Sequence, residues 1–161
     1  MFLFSFYTRG MSFIDMAYLK KSDLKNGTIT YRRRKTGQQL TVKWEKCMED
    51  IIAKYRENTA TRYLLPIITN PCSDERTQYR NAICRINVAL KEVVGLAGLN
   101  IPLTMHVARH CWASVAKSKN IPLSVISEGM GHDSEETTRI YLASLDTSVV
   151  DKANSLILKD F

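Results

Sequence analysis

Four residues in the second half of the chain have the types and spacing for chemistry on a phosphodiester. His106 and Arg109 stand three apart at the start of a helix-like run, His132 follows a glycine, and Tyr141 lies nine residues further on in another short helical pattern. Residues three apart on a helix share a face, so His106 and Arg109 can address one ligand. A guanidinium fork matches two phosphate oxygens, an imidazole adds a further bond, and a phenol can serve as nucleophile if its proton is taken. Each residue alone has an ordinary explanation: a surface histidine, an ion-paired arginine, a turn, a half-buried packing tyrosine. The functional reading depends on the four converging.

The elements that must bring them together are mostly helices. Pro102 and Thr104 lead into a helix over His106 to Lys117. Pro122 opens another through Glu128, closed by Gly129 and Gly131, and Ser134 with Thr137 to Leu142 gives a short one. Upstream, Phe2 to Tyr7 reads as helix, and Ser12 is an N-cap for Phe13 to Lys20 with Phe13, Met16, Ala17 and Tyr18 facing inward. Thr28 to Tyr31 and Leu40 to Val42 are β-rich and flank the turn residues Lys35 to Gln38, which predicts a hairpin. Glu45 to Tyr55 fits an amphipathic helix. Asp74 to Leu96 fits a longer one whose apolar side carries Ile83, Ile86, Val88, Leu90, Val93 and Val94. The tail has a stripe at Val149, Val150, Ala153, Leu156 and Ile157. The expected class is α+β: a mostly helical domain with a small antiparallel sheet.

Composition sets the limits. The 161 residues suit one domain, and 45% hydrophobic with 24% charged residues is ordinary for a globular protein. The net charge of +7, from 23 Lys and Arg against 16 Asp and Glu, favours polyanionic partners. Cys47, Cys72, Cys84 and Cys111 have neither disulfide-framework nor zinc-ligand spacing and read as reduced thiols of a cytoplasmic protein. His110 and Cys111 are adjacent and point apart on a helix, so no metal site is expected. The apolar run at Met1 to Phe6 is too short to span a membrane and lacks signal-peptide features. The helical pattern that starts without a cap suggests a chain cut from something longer.

Taken together, Thr104-Met105-His106-Val107-Ala108-Arg109-His110, Met130-Gly131-His132-Asp133-Ser134 and Thr137-Thr138-Arg139-Ile140-Tyr141 closely resemble the catalytic motifs of the tyrosine recombinases, the phage-integrase family. The resemblance runs from about Phe4 to Tyr141. It implies a site-specific DNA recombinase or integrase catalytic domain over residues 1–161, without the N-terminal core-binding domain. It further implies a bacterial mobile element, a nucleoid-associated location in the cytoplasm, double-stranded DNA as partner, a monomer alone and a homotetramer in the synapse. In that mechanism Tyr141 attacks the scissile phosphate, giving a 3′-phosphotyrosyl link and a free 5′-hydroxyl, with no metal or cofactor. Arg109, His106 and His132 stabilise the phosphate, and Lys35, matching a hairpin lysine, protonates the leaving oxygen. If the strand keeps period two, Arg33 shares the face of Lys35 while Arg32 and Arg34 turn towards the DNA backbone.

One position departs from the family. Its first arginine is expected two residues after Gly10, where this chain has Ser12, while Asp15 matches the acidic residue that follows. One phosphate-clamping donor of this kind is worth ~3 kcal/mol. Arg9, in the preceding turn, is the preferred replacement, and Arg33 is the alternative. Ser12 itself could hold a phosphate oxygen. Two other readings remain: a type IB topoisomerase-like enzyme with the same chemistry, and a catalytically weak DNA-binding relic.

Overall fold

The computed structural model describes residues 1–55 and 61–143. Its small sheet has three antiparallel strands, β1 (Leu24–Lys25), β2 (Thr28–Arg32) and β3 (Gln39–Lys43), in the order β1-β2-β3. The sequence pattern anticipates β2 and β3. The two-residue β1 is too short to show alternation, and it forms because Leu24 and Lys25 pair with Ile29 and Thr28. Tyr31 pairs with Leu40 and Ile29 with Val42, so these four side chains share the buried face. Thr30 and Thr41 hydrogen-bond across the exposed face at 3.2 Å.

The helices are α1 (Phe2–Tyr7), α2 (Phe13–Tyr18), α3 (Lys46–Ala53), α4 (Glu75–Leu96), α5 (Met105–Ser118), α6 (Leu123–Met130) and α7 (Glu135–Ala143). Ser12 caps α2 by accepting from the Asp15 amide, and Asp74 caps α4 by accepting from the Thr77 amide at 2.7 Å. Gly131 ends α6 in the left-handed conformation, φ 64°, and the amide of His132 then bonds back to the Ser127 carbonyl. That six-to-one closure throws His132 out of the helix axis.

Two apolar clusters form the interior. The larger packs α1, α2, the sheet, α3 and the 64–68 segment around Phe4, Met11, Met16, Leu19, Ile29, Leu65 and Ile68. The smaller joins α5, α6 and α7 through Ala113, Ala116, Ile126, Met130 and Leu142. Helix α5 belongs to both, Met105 in the first and Ala113 in the second, and Arg109 lies between them on the same helix.

Phe13, Met16 and Ala17 are buried as expected, and Tyr18 is half-buried. The stripe on α4 is narrower than the periodicity implied. Leu90 is buried with Ala82, but Val88 and Val93 are exposed, because α4 packs along one edge of the core rather than through it. On α7, Leu142 is buried and Ile140 is 65% exposed. The tail stripe 149–157 lies outside the described residues. No described helix is long and apolar enough to cross a membrane.

Candidate active site

Arg109 is anchored through both terminal nitrogens of its guanidinium. It is buried, with Nη1 donating to the Gly10 carbonyl at 2.7 Å and Nη2 to the Met130 carbonyl at 2.6 Å. Gly10 has φ 72°, and a Cβ there would stand 2.9 Å from the Arg109 Cα and 2.8 Å from its Cγ. Only glycine fits that turn against that helix. The carbonyl bonds occupy two of five guanidinium N–H groups and leave the others for a ligand.

Arg33 approaches from the hairpin. It directly follows β2 and is buried, while Arg32, Arg34 and Lys35 on either side are exposed. Its Nη1 donates to the Gly131 carbonyl, and its Nε has no hydrogen-bond partner among the described residues. Gly131, like Gly10, has a positive φ, and a Cβ there would press on Arg33 Cδ and Leu40 Cδ1. The backbone around Arg33 is fixed twice: its amide and carbonyl close the turn with Gln38 and Gly37, and the Arg34 amide donates to Asp15 at 2.9 Å. Asp15 also accepts from Ser12 Oγ at 2.5 Å. The Ser12 hydroxyl is thus engaged in orienting the carboxylate that holds the hairpin base. Ser12, His106 and Arg109 also line a common cleft of about 200 Å³.

Arg9 takes another course. Its φ is 60°, and its side chain runs beside Gly129 of α6, near Trp112. The charge of Arg33 acts on Arg109, His132 and Tyr141, and Arg109, Arg33 and Arg9 all act on Tyr31. The Arg9 stem thus runs along α6, and the hairpin brings the Arg33 charge near Arg109.

Lys35 sits in the hairpin turn, so period-two alternation stops before reaching it: Arg33 is buried and Lys35 exposed. Its charge still contributes to lowering the pKa of His106 and His132. Arg32 donates to the Gly37 carbonyl within its own hairpin at 2.7 Å, and Arg34 lies 3.7 Å over the Tyr18 ring. Both are exposed.

Tyr141 stands among all three histidines of the chain. Its ring centroid is 6.1 Å from that of His106, 5.7 Å from His132 and 4.0 Å from His110, the last ring nearly parallel at 4°. His132 is oriented by Thr138, fully buried one turn before Tyr141, whose hydroxyl meets Nδ1 at 2.7 Å. That contact leaves Nε2 as the ring nitrogen able to address a substrate. Sequence reasoning passed over Thr138, although it belongs to the Thr137-Thr138 pair of the motif, and gave His110 no catalytic role.

Burial dominates the electrostatics. It lowers the pKa of Arg109 to about 10, with the Arg33 charge adding to the effect, and Arg109 stays charged at neutral pH. It lowers that of His132 to about 4, reinforced by Arg109, Arg33 and Lys35, and also lowers those of His106 and His110. It pushes the Tyr141 phenol up to about 12, against the opposing pull of Arg109 and Arg33. No group of three or more His, Cys, Asp or Glu side chains among the described residues could hold a metal ion.

The model of the phage integrase family matches residues 2–148, and the chain belongs to that family. Among solved structures it is similar to the XerA recombinase, with a TM-score of 0.68 and 21% identity over 94% of this chain and 55% of that one. It is also similar to the XerH site-specific recombinase bound to palindromic difH substrate in a post-cleavage complex, with a TM-score of 0.66 and 21% identity over 96% and 44%. A pre-cleavage XerH complex gives a TM-score of 0.58 and 20% identity over 96% and 46%. The chain spans about half the length of these proteins, with which it shares the mostly helical fold and small antiparallel sheet. No curated protein matches it.

Proposed function

We propose that this domain cleaves and rejoins DNA strands through a phosphotyrosyl intermediate, as the catalytic part of a site-specific recombinase. One observation carries the reading. Arg109 and Arg33 are two buried guanidiniums, the charge of Arg33 adds to burial in lowering the pKa of Arg109, and neither makes an ion pair with a carboxylate among the described residues. Two buried like charges are costly unless an anion joins them. A phosphodiester supplies that anion, and the tyrosine of the family motif lies within reach of the same charges.

The chemistry follows from the groups present. The Tyr141 oxygen attacks phosphorus, the bond to the 5′-oxygen breaks, and the 3′-phosphate stays on the protein. Arg109 and Arg33 hold the non-bridging oxygens, with His106 and the Nε2 of His132 adding bonds. A phenol held near pKa 12 needs a proton acceptor, and histidines kept neutral by their surroundings are suited to that task. The bound phosphodiester's negative charge raises their basicity when it is needed. Lys35 passes a proton to the departing 5′-oxygen, and return of a 5′-hydroxyl from a partner strand reverses the step. Arg32 and Arg34 grip the DNA backbone outside the pocket. Two strand exchanges require four copies, so the domain acts as a tetramer on paired sites and is a monomer away from DNA.

The test uses a pool of nicked duplexes, randomised around the nick, in which cleavage releases a short fragment and traps the adduct. Wild-type protein at low salt should give a denaturant-stable protein–DNA band, and Tyr141→Phe none. No band from the wild type, or an equal band from the variant, sinks the reading.

A further inference from the structure

The stack of His110 on Tyr141 has no place in the chemistry above, yet of the three histidine rings around the candidate nucleophile it lies closest. We infer that His110 is a positioning residue: its imidazole is the shelf on which the Tyr141 ring lies, fixing the phenol for attack at phosphorus. The inference rests on the reading of Tyr141 as nucleophile.

Three observations carry it. First, the two rings are parallel to within 4° at a centroid separation of 4.0 Å. Since the closest approach of stacked carbons is roughly 3.5 Å, this is contact with a modest lateral offset. Second, the Nδ1 of His110 is buried and has no hydrogen-bond partner among the described residues. The ring is thus held by packing, and its face rather than its polar edge is what it offers. Third, His106 stands edge-on to His110 at 4.6 Å and 83° and edge-on to Tyr141 at 6.1 Å and 85°. His106 and His110 are four apart on α5 and share a face, so one helix supplies both the flat support and the lateral wall.

The physical need follows from the reaction: in-line attack requires the phenol oxygen to be held to a fraction of an ångström. A planar surface on the rigid, doubly packed α5 supplies that constraint through the face of the ring.

The reading predicts that ring shape matters and ring nitrogen does not. With the nicked-duplex pool, His110→Ala should form the adduct about tenfold more slowly than wild type, while His110→Phe stays within about twofold. Retention of an unnicked duplex should be unchanged in both variants. In spectra of tyrosine-labelled protein, the upfield ring-current shift of Tyr141 should vanish in His110→Ala and persist in His110→Phe. A merely structural role would instead lower thermal stability and adduct rate together in both. If Tyr141→Phe abolishes the adduct and His110→Ala cleaves as fast as wild type, the shelf is wrong and the nucleophile stands. The shelf is equally wrong if His110→Phe is as slow as His110→Ala. An adduct from Tyr141→Phe equal to wild type overturns the nucleophile itself.

Discussion

The two buried arginines are held by the same device with different rigidity. Arg109 and Arg33 each pass over a glycine of positive φ and donate to a backbone carbonyl, Gly10 for the first and Gly131 for the second. Arg109 grows from the middle of a fourteen-residue helix shared by both apolar clusters and is tied by two carbonyls from different elements. Arg33 grows from the end of a five-residue strand, is tied by one side-chain bond, and has a buried Nε without a partner among the described residues. The first is a fixture of the scaffold. The second is a cation delivered by a hairpin, with donor capacity in reserve. Two buried guanidiniums can therefore be drawn together from unrelated elements, provided each is backed by a glycine that lets its stem pass.

The sharpest way to break this comparison is to remove each fork while keeping its charge. Arg109→Lys should slow adduct formation by roughly a thousandfold and Arg33→Lys by roughly a hundredfold, since a lysine cannot hold two oxygens in a plane. Arg9→Ala should stay within about threefold, measured on the same nicked duplexes. If Arg9→Ala falls as far as Arg33→Lys, the second guanidinium has been assigned to the wrong element.

The glycines give the next effect. At Gly10 a methyl group meets backbone, the Arg109 Cα at 2.9 Å, whereas at Gly131 it meets the side-chain ends of Leu40 and Arg33. Both substitutions cost about 1–2 kcal/mol for the left-handed backbone. Gly10→Ala should add about 1–3 kcal/mol of overpacking that Gly131→Ala largely escapes by side-chain movement. Urea denaturation of the two variants compares them directly, and equal losses would contradict the difference in anchoring.

Acid should act mainly on the Arg33 side, where His132 follows Gly131. Its pKa is lowered to about 4 in the folded protein from an ordinary value near 6.5. The unfolded chain therefore binds more protons between those values, and stability falls as pH drops through that window. His106 and His110, also lowered, act in the same direction. His132→Asn should flatten the fall in Tm between pH 6.5 and 4, and an unchanged slope would place the acid-sensitive group elsewhere.

The smallest effect belongs to the exposed cations beside Arg33. Arg32→Ala and Arg34→Ala should each weaken duplex binding and reduce the slope of log affinity against log salt by about one, leaving adduct formation at saturating DNA within about twofold. A large loss at saturation would mean that one of them enters the pocket.

Much of this was readable in the chain. Helical spacing paired His106 with Arg109, Ser12 announced its helix, and the turn chemistry at Lys35 to Gln38 gave the hairpin. These signals are local, decided by φ preferences, capping bonds and periodicity within a few residues. The exposure of Val88, Val93 and Ile140 was not readable, because periodicity shows that a face is apolar but not whether anything packs on it. The choice between Arg9 and Arg33 was equally closed. Both are basic and near the right place in sequence, and a left-handed turn at Arg9 with a glycine at 131 decides where each side chain runs. The stack of His110 on Tyr141 depends on how α7 docks on α5, a contact across thirty residues that no spacing rule encodes. The sequence by itself determined which chemical groups the site would have, since residue types and short-range geometry are written there. Tertiary packing alone decided where the Arg9 and Arg33 side chains run and which ring lies against Tyr141, because both are set by the meeting of elements far apart in the chain.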